Sequence, residues 1–189
     1  MLFYVVVSHT PLWVWVLFAF LLSRGLVALR PREVAPSRAL LVPIAFLLWG
    51  LDGLVGSRGL GLDLALFVAG FAAGLAAGRA LAALTPAPRL TPEGASMIVP
   101  GSPLSLALIL VAFSVKYVGA AALAIVADPA VHAEIASATA LAGGLFAGAF
   151  WGRTLTQFRR ALDAAGLGAG WPTVVRFVCA PPARGLGAP

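Results

Sequence analysis

Charge is scarce in this chain. Of its 189 residues 7 are acidic and 13 basic, so 11% are charged, against roughly 25% in a soluble domain whose surface must face water. A globule coated with so little polar material would show apolar surface on every side, so the outer face is expected to meet lipid. A single cysteine, Cys179, excludes an intramolecular disulfide and any CxxC redox or metal motif. The two histidines, His9 and His132, lie too far apart in sequence to supply a spaced ligand cluster. Nucleotide-loop, HExxH, GxSxG and haem-attachment signatures are all missing. No catalytic residue, metal or cofactor is therefore assigned, and enzyme is the least supported of the function classes.

What the chain has in quantity is apolar sequence: 61% of residues are hydrophobic, with a mean hydropathy of +0.99. At ~20 residues per span it divides into five apolar runs, at about 11–29, 38–56, 59–84, 103–126 and 135–155. The first follows Thr10-Pro11, a helix-start signal, with Trp13 and Trp15 placed as an interfacial belt would place them. It has no basic stretch before it and no clear A-x-A site after it, so it reads as an uncleaved helix rather than a signal peptide. Asp128-Pro129 breaks the chain before the fifth run, leaving His132 and Glu134 in a short loop. Between the third and fourth runs, 89–91 and 96–99 are short enough for two strands flanking the turn-like Pro92-Glu93-Gly94; a structureless loop is the competing reading. Residues 1–163 form the expected transmembrane domain. The Gly, Ala and Pro rich tail, 164–189, is expected to be disordered, apart from an interfacial piece at Trp171 to Val178.

A net charge of +6 and a pI near 11.1 would point to nucleic acid in a soluble protein. Without a solvated basic helix, the charges read instead as topology, and no nucleic-acid partner is expected. Eleven of the thirteen basic residues fall on one side of the five runs: Arg24, Arg30, Arg32 and Arg38, then Arg79 and Arg89, then Arg153, Arg159, Arg160, Arg176 and Arg184. Arg58 stands alone opposite, and Lys116 lies within the fourth run. The positive-inside rule then gives an N-terminus outside and a C-terminus inside. The fold class is all-α, a polytopic bundle.

Two runs share a pattern. Gly70-xxx-Gly74-xxx-Gly78-Arg79-x-Leu81 matches Gly144-xxx-Gly148-xxx-Gly152-Arg153-x-Leu155 at a constant offset of 74. Glycine at every fourth position flattens one helix face, so another backbone can approach it closely, and the arginine ending each stripe would reach the headgroups. The second and fourth runs also share a segment, Ala45-Phe46-Leu47-Leu48-Trp49 against Ala112-Phe113-Ser114-Val115-Lys116. Together these read as a parallel repeat of helix hairpins, two–three and four–five; chance likeness among Ala/Gly/Leu-rich helices is the bland alternative.

Lys116 is the costliest residue. Thirteen residues into its helix, it lies about 20 Å deep, past the middle of a ~30 Å core. A cation there costs ~2.5–3.5 kcal/mol and ordinarily pairs or lines a cavity. Asp52 falls at nearly the same depth and is the expected partner; snorkelling to the outer headgroups is the alternative. Tyr117 adds a hydroxyl beside it. Asp63 reads as a first-turn acid favoured by the helix dipole, or as a second acid in an outer pocket with Asp52.

At Arg24-Gly25-Leu26-Val27-Ala28-Leu29-Arg30-Pro31-Arg32, and again from Pro100-Gly101-Ser102 to Lys116-Tyr117, the chain resembles a family of small bacterial inner-membrane proteins classified only as a domain of unknown function. The likeness extends from Pro11 to about Arg160. It implies a multi-pass helical fold in a bacterial inner membrane and no particular activity. A more distant similarity, carried by helix layout, is to the CcdC membrane proteins, named for a cytochrome c biogenesis locus. Two functions then compete. A binding or transport-related protein would use Lys116, Tyr117, Asp52 and Asp63 and would suit a homo-oligomer. An assembly partner would turn its glycine stripes outward, through the bilayer, to another membrane protein.

Overall fold

The computed structural model describes residues 12–55, 60–91, 96–168 and 170–179. His9, the Thr10-Pro11 start signal, Arg58, the Pro92-Glu93-Gly94 turn, Arg184 and the side chain of Trp13 lie outside the described residues. The chain is mostly helical, in the order α1 (Leu12–Val27), β1 (Arg32–Val34), α2 (Pro36–Ala39), α3 (Leu41–Asp52), α4 (Leu60–Ala83), β2 (Arg89–Leu90), β3 (Met97–Val99), α5 (Pro103–Ile125), α6 (Pro129–Ala164) and α7 (Trp171–Cys179).

Among the described residues, three helices are long and apolar enough to cross a membrane, at Gly61–Ala83, Pro103–Ile125 and Pro129–Ala164. At 1.5 Å per residue a helix of 23 residues extends about 35 Å, which exceeds a ~30 Å core. Their outward faces carry large apolar side chains in the open, among them Leu62 and Val68 on α4 and Val111 and Val118 on α5. The second run is shorter than its hydropathy suggested. Its 12-residue helix α3 covers about 18 Å; α2 stops short of it, and Pro43 in the first turn of α3 lacks the N–H that would bond back to Ala39 and join the two helices.

Helices α4 and α6 form the spine. Their glycine stripes face each other: a Cβ on Gly70, Gly74 or Gly78 would collide with the backbone carbonyls of Leu141, Leu145 and Ala149. Reciprocally, Gly144, Gly148 and Gly152 meet the carbonyls of Phe67, Phe71 and Leu75. Partner numbers rise together along both helices, so the pair is parallel. Position i of α4 matches position i + 74 of α6, the offset of the sequence repeat. Each Cα hydrogen lies against a carbonyl oxygen, a weak bond worth about 0.5–1 kcal/mol.

The remaining helices wrap the spine through aromatic contacts. Phe46 of α3 stacks on Phe150 of α6 at 4.4 Å, and Phe18 of α1 lies 4.6 Å from Phe113 of α5. Val14, Leu21, Ile109 and Ala112 are buried with them. At the end where α1 stops and α5 starts, β3 pairs antiparallel with β2 (Arg89↔Ile98) and with β1 (Arg32↔Val99). The β2–β3 pairing matches the two-strand reading; the third strand was not anticipated, since it comes from the distant α1–α2 connection.

Helix α6 starts earlier than expected. Asp128 caps it, its carboxylate accepting from Ala130 N at 2.8 Å and Val131 N at 3.2 Å, and Pro129 occupies the first turn. The Asp-Pro pair is therefore a cap and an N1 proline, and His132 and Glu134 belong to the helix rather than a loop. The other end closes on Gly166 at φ +71°, with Gly166 N donating to Asp163 O and Leu167 N to Leu162 O, a Schellman ending that needs the left-handed conformation. Beyond it α7 docks Val174 and Phe177 against Phe158, Leu162 and Met97, in the stretch read as an interfacial piece.

Candidate functional site

Lys116 sits midway along α5 and is 6% exposed. Its ammonium lies 5.8 Å from the centroid of the Trp49 ring, a cation–π arrangement. A Cβ placed on Gly53 or Gly143 would stand 3.2 or 3.3 Å from Nζ, so two glycines make room for the charge. Gly53 is the C-cap of α3. The cation therefore lies at the carbonyl end of that helix, where the backbone dipole favours it.

Asp52, the last residue of α3, is exposed and acts on Lys116 electrostatically. Among the described residues the two make no ion-pair contact. Tyr117 stacks on Phe113, with centroids 6.0 Å apart, and lies 6.4 Å from Trp15 of α1. Asp63 is buried and accepts from Ser137 Oγ at 2.6 Å; 63 and 137 again differ by 74, so the repeat-related positions meet across the spine. Lys116 and Asp52 thus share one neighbourhood at the end of α3, while Asp63 belongs to the α4–α6 interface.

A second constellation lies at the opposite end of the bundle. A cleft of about 90 Å³ is lined by Arg24, Arg30, Arg32 and Arg153, with Ser105, Thr154 and Gln157. Among the described residues, none of those lining it is acidic. Arg24 comes from the last turn of α1, and its guanidinium lies 5.3 Å from the Phe20 ring. Arg30 follows α1. Arg32 and Val34 alternate inward on β1, so Glu33 between them faces away, where Ser96 Oγ donates to its carboxylate. Arg32 donates from Nη1 to the Arg24 carbonyl at 3.3 Å. Burial, and then the like charge of Arg24, lower the pKa of Arg32 from the ordinary arginine value.

Arg153 is 7% exposed. It donates from Nη1 to Ser105 Oγ at 2.6 Å, while its buried Nε has no partner among the described residues. The repeat predicts that Arg79 and Arg153 both reach the headgroups; Arg79 is exposed, but Arg153 turns inward because α5 packs on α6 at that level and offers Ser105. Arg160 also leaves the surface, donating to the carbonyls of Ala82 and Thr85 at 2.5 and 2.9 Å, where it caps the end of α4.

Sequence reasoning counted these arginines for topology and missed the cleft. One signal was available. The two segments that carry the family resemblance touch: Ser102 N donates to Ala28 O at 2.8 Å, and Gly101 lies against the backbone of Leu29 and Arg30. No group of three or more metal-ligating side chains occurs among the described residues. A family model described as a family of unknown function (DUF6622) matches residues 1–168, and the chain belongs to that family. No curated protein and no solved structure matches it.

Proposed function

We propose, for this member of a family of unknown function, a five-span protein of the bacterial inner membrane that binds a small anionic molecule at its cytoplasmic end. The observation that carries this reading is the cleft where four arginines converge with no carboxylate among the described residues. Like charges held together in a partly buried site repel. An anion would relieve that repulsion, and guanidinium groups present the forked donors that oxyanions accept.

The five-span count adds α1 and α3 to the three long helices. The N-out, C-in orientation follows from the basic residues at the cleft end. The parallel arrangement of α4 and α6 supports alternating spans, since α5 must run back between them. A ligand site at Lys116 has less support, because Trp49, Gly53 and the dipole of α3 already surround its ammonium. The outward glycine stripe required of an assembly partner is likewise used up inside the chain, as α4 and α6 cover each other. The exposed apolar faces are left for lipid or for a second copy of the chain.

Titration of the delipidated, detergent-solubilised protein with inorganic phosphate tests the reading by calorimetry. Saturable binding, weakened at least fivefold in Arg30→Gln and unchanged in Arg79→Gln, is expected. Non-saturable binding, or an equal loss in both variants, would refute it.

A further inference from the structure

The cleft has two chemistries arranged along the bundle axis. On α5 the polar Ser105 lies near the helix end and the apolar Ile109 one turn deeper; on α6 the order is the same, with Arg153 toward the end and Phe150 deeper. Val42 and Pro43, from the first turn of α3, complete the apolar wall. A soluble anion would use only the arginine half.

Building on the anion-binding reading, we propose that the occupant is the phosphate group of a membrane amphiphile, seated among Arg24, Arg30, Arg32 and Arg153 with its apolar part against Ile109 and Phe150. The formal charge of the four arginines exceeds what one carboxylate neutralises, whereas a phosphate offers several oxygens to several guanidinium forks at once. Basic pockets between spanning helices on the cytoplasmic side are where anionic headgroups bind. With the proposed spans, the lining falls at the headgroup level, since it gathers the end of α1, the starts of α3 and α5, and the β1 strand between them.

The test uses the full chain and two probes. In detergent, native mass spectrometry counts bound phosphatidylglycerol and phosphatidylcholine offered at equal concentration; in parallel, calorimetry follows glycerol 3-phosphate. One phosphatidylglycerol per chain is expected, retained at least tenfold over phosphatidylcholine. That preference should fall at least tenfold in Arg32→Gln/Arg153→Gln and hold in Arg79→Gln. Arg30→Gln, at an exposed position, gives the same readout should the double variant fail to fold. If glycerol 3-phosphate binds the cleft but phosphatidylglycerol shows no preference, the amphiphile proposal is overturned and the anion site stands. If neither probe binds, both fall. A preference that Arg79→Gln erases equally well would reduce the effect to diffuse surface charge and also overturn the proposal.

Discussion

Replacing Gly148 with alanine tests the spine most directly. The new Cβ would stand 2.9 Å from both Leu75 N and Phe71 C, with the Phe71 carbonyl oxygen closer still. Ordinary contact begins at 3.4 Å, so the backbones must part by at least 0.5 Å at a point where no side chain can rotate away. Forcing a methyl group into a filled interface costs about 1–3 kcal/mol, and alanine's better helix propensity returns at most ~1 kcal/mol. Gly61, also on α4, has nothing within 4 Å of its Cβ position among the described residues, so Gly61→Ala carries only the propensity gain. The two variants should therefore differ by about 1–3 kcal/mol, a 5- to 150-fold change in the unfolding equilibrium at 1.4 kcal/mol per decade. Unfolding by sodium dodecyl sulfate in mixed micelles, followed by circular dichroism, measures it. Adding Gly74→Ala should cost less than it does alone, because helices already parted at that level have less contact to lose. Equal stability of Gly148→Ala and Gly61→Ala would sink the close-packed spine.

Three further expectations follow from the geometry. Asp128→Ala removes the cap of α6 and should destabilise by about 1 kcal/mol, with faster hydrogen exchange at the amides of Ala130 and Val131; unchanged exchange there would contradict the cap. In a double-mutant cycle, Lys116→Met and Asp52→Asn should couple by less than about 1 kcal/mol, as charges without direct contact do; a coupling above ~2 kcal/mol would show that they form a contact pair. Cys179 is exposed at the proposed cytoplasmic end, so a membrane-impermeant thiol reagent should label it in opened vesicles and not in intact cells; labelling of intact cells would reverse the assigned orientation.

The periodic part of the fold was legible in the sequence. Apolar runs marked α4 and α5 nearly to the residue, because a helix in lipid must be apolar along its whole length. The glycine stripes marked faces that another backbone approaches closely, but a repeat of this kind does not say which backbone; the structure seats α4 and α6 on each other at the offset of 74. Local punctuation was harder to read. Asp128-Pro129 has the same letters whether it ends a helix or begins one, and only the direction of the capping bonds decides. The arginine cleft was out of reach for a different reason. Arg24, Arg32 and Arg153 come from separate elements, and a charge census that fits topology gives no sign that three of its members share one enclosure. The β1–β3 pairing, with its register Arg32↔Val99, is the long-range contact that brings them there.

The reciprocal stripes have a mechanical consequence. Notches repeat every four residues on both helices, so α4 and α6 are cut like two matching racks whose teeth stand about 6 Å apart along the axis. A slide of one tooth would reseat two of the three glycines on each helix, whereas any smaller slide drives carbonyls into Cα atoms. A partial slide is thus blocked by backbone contact along the whole stripe. Two pins hold the present tooth: the Ser137–Asp63 bond at one end of the racks and Arg160 on the Ala82 and Thr85 carbonyls at the other.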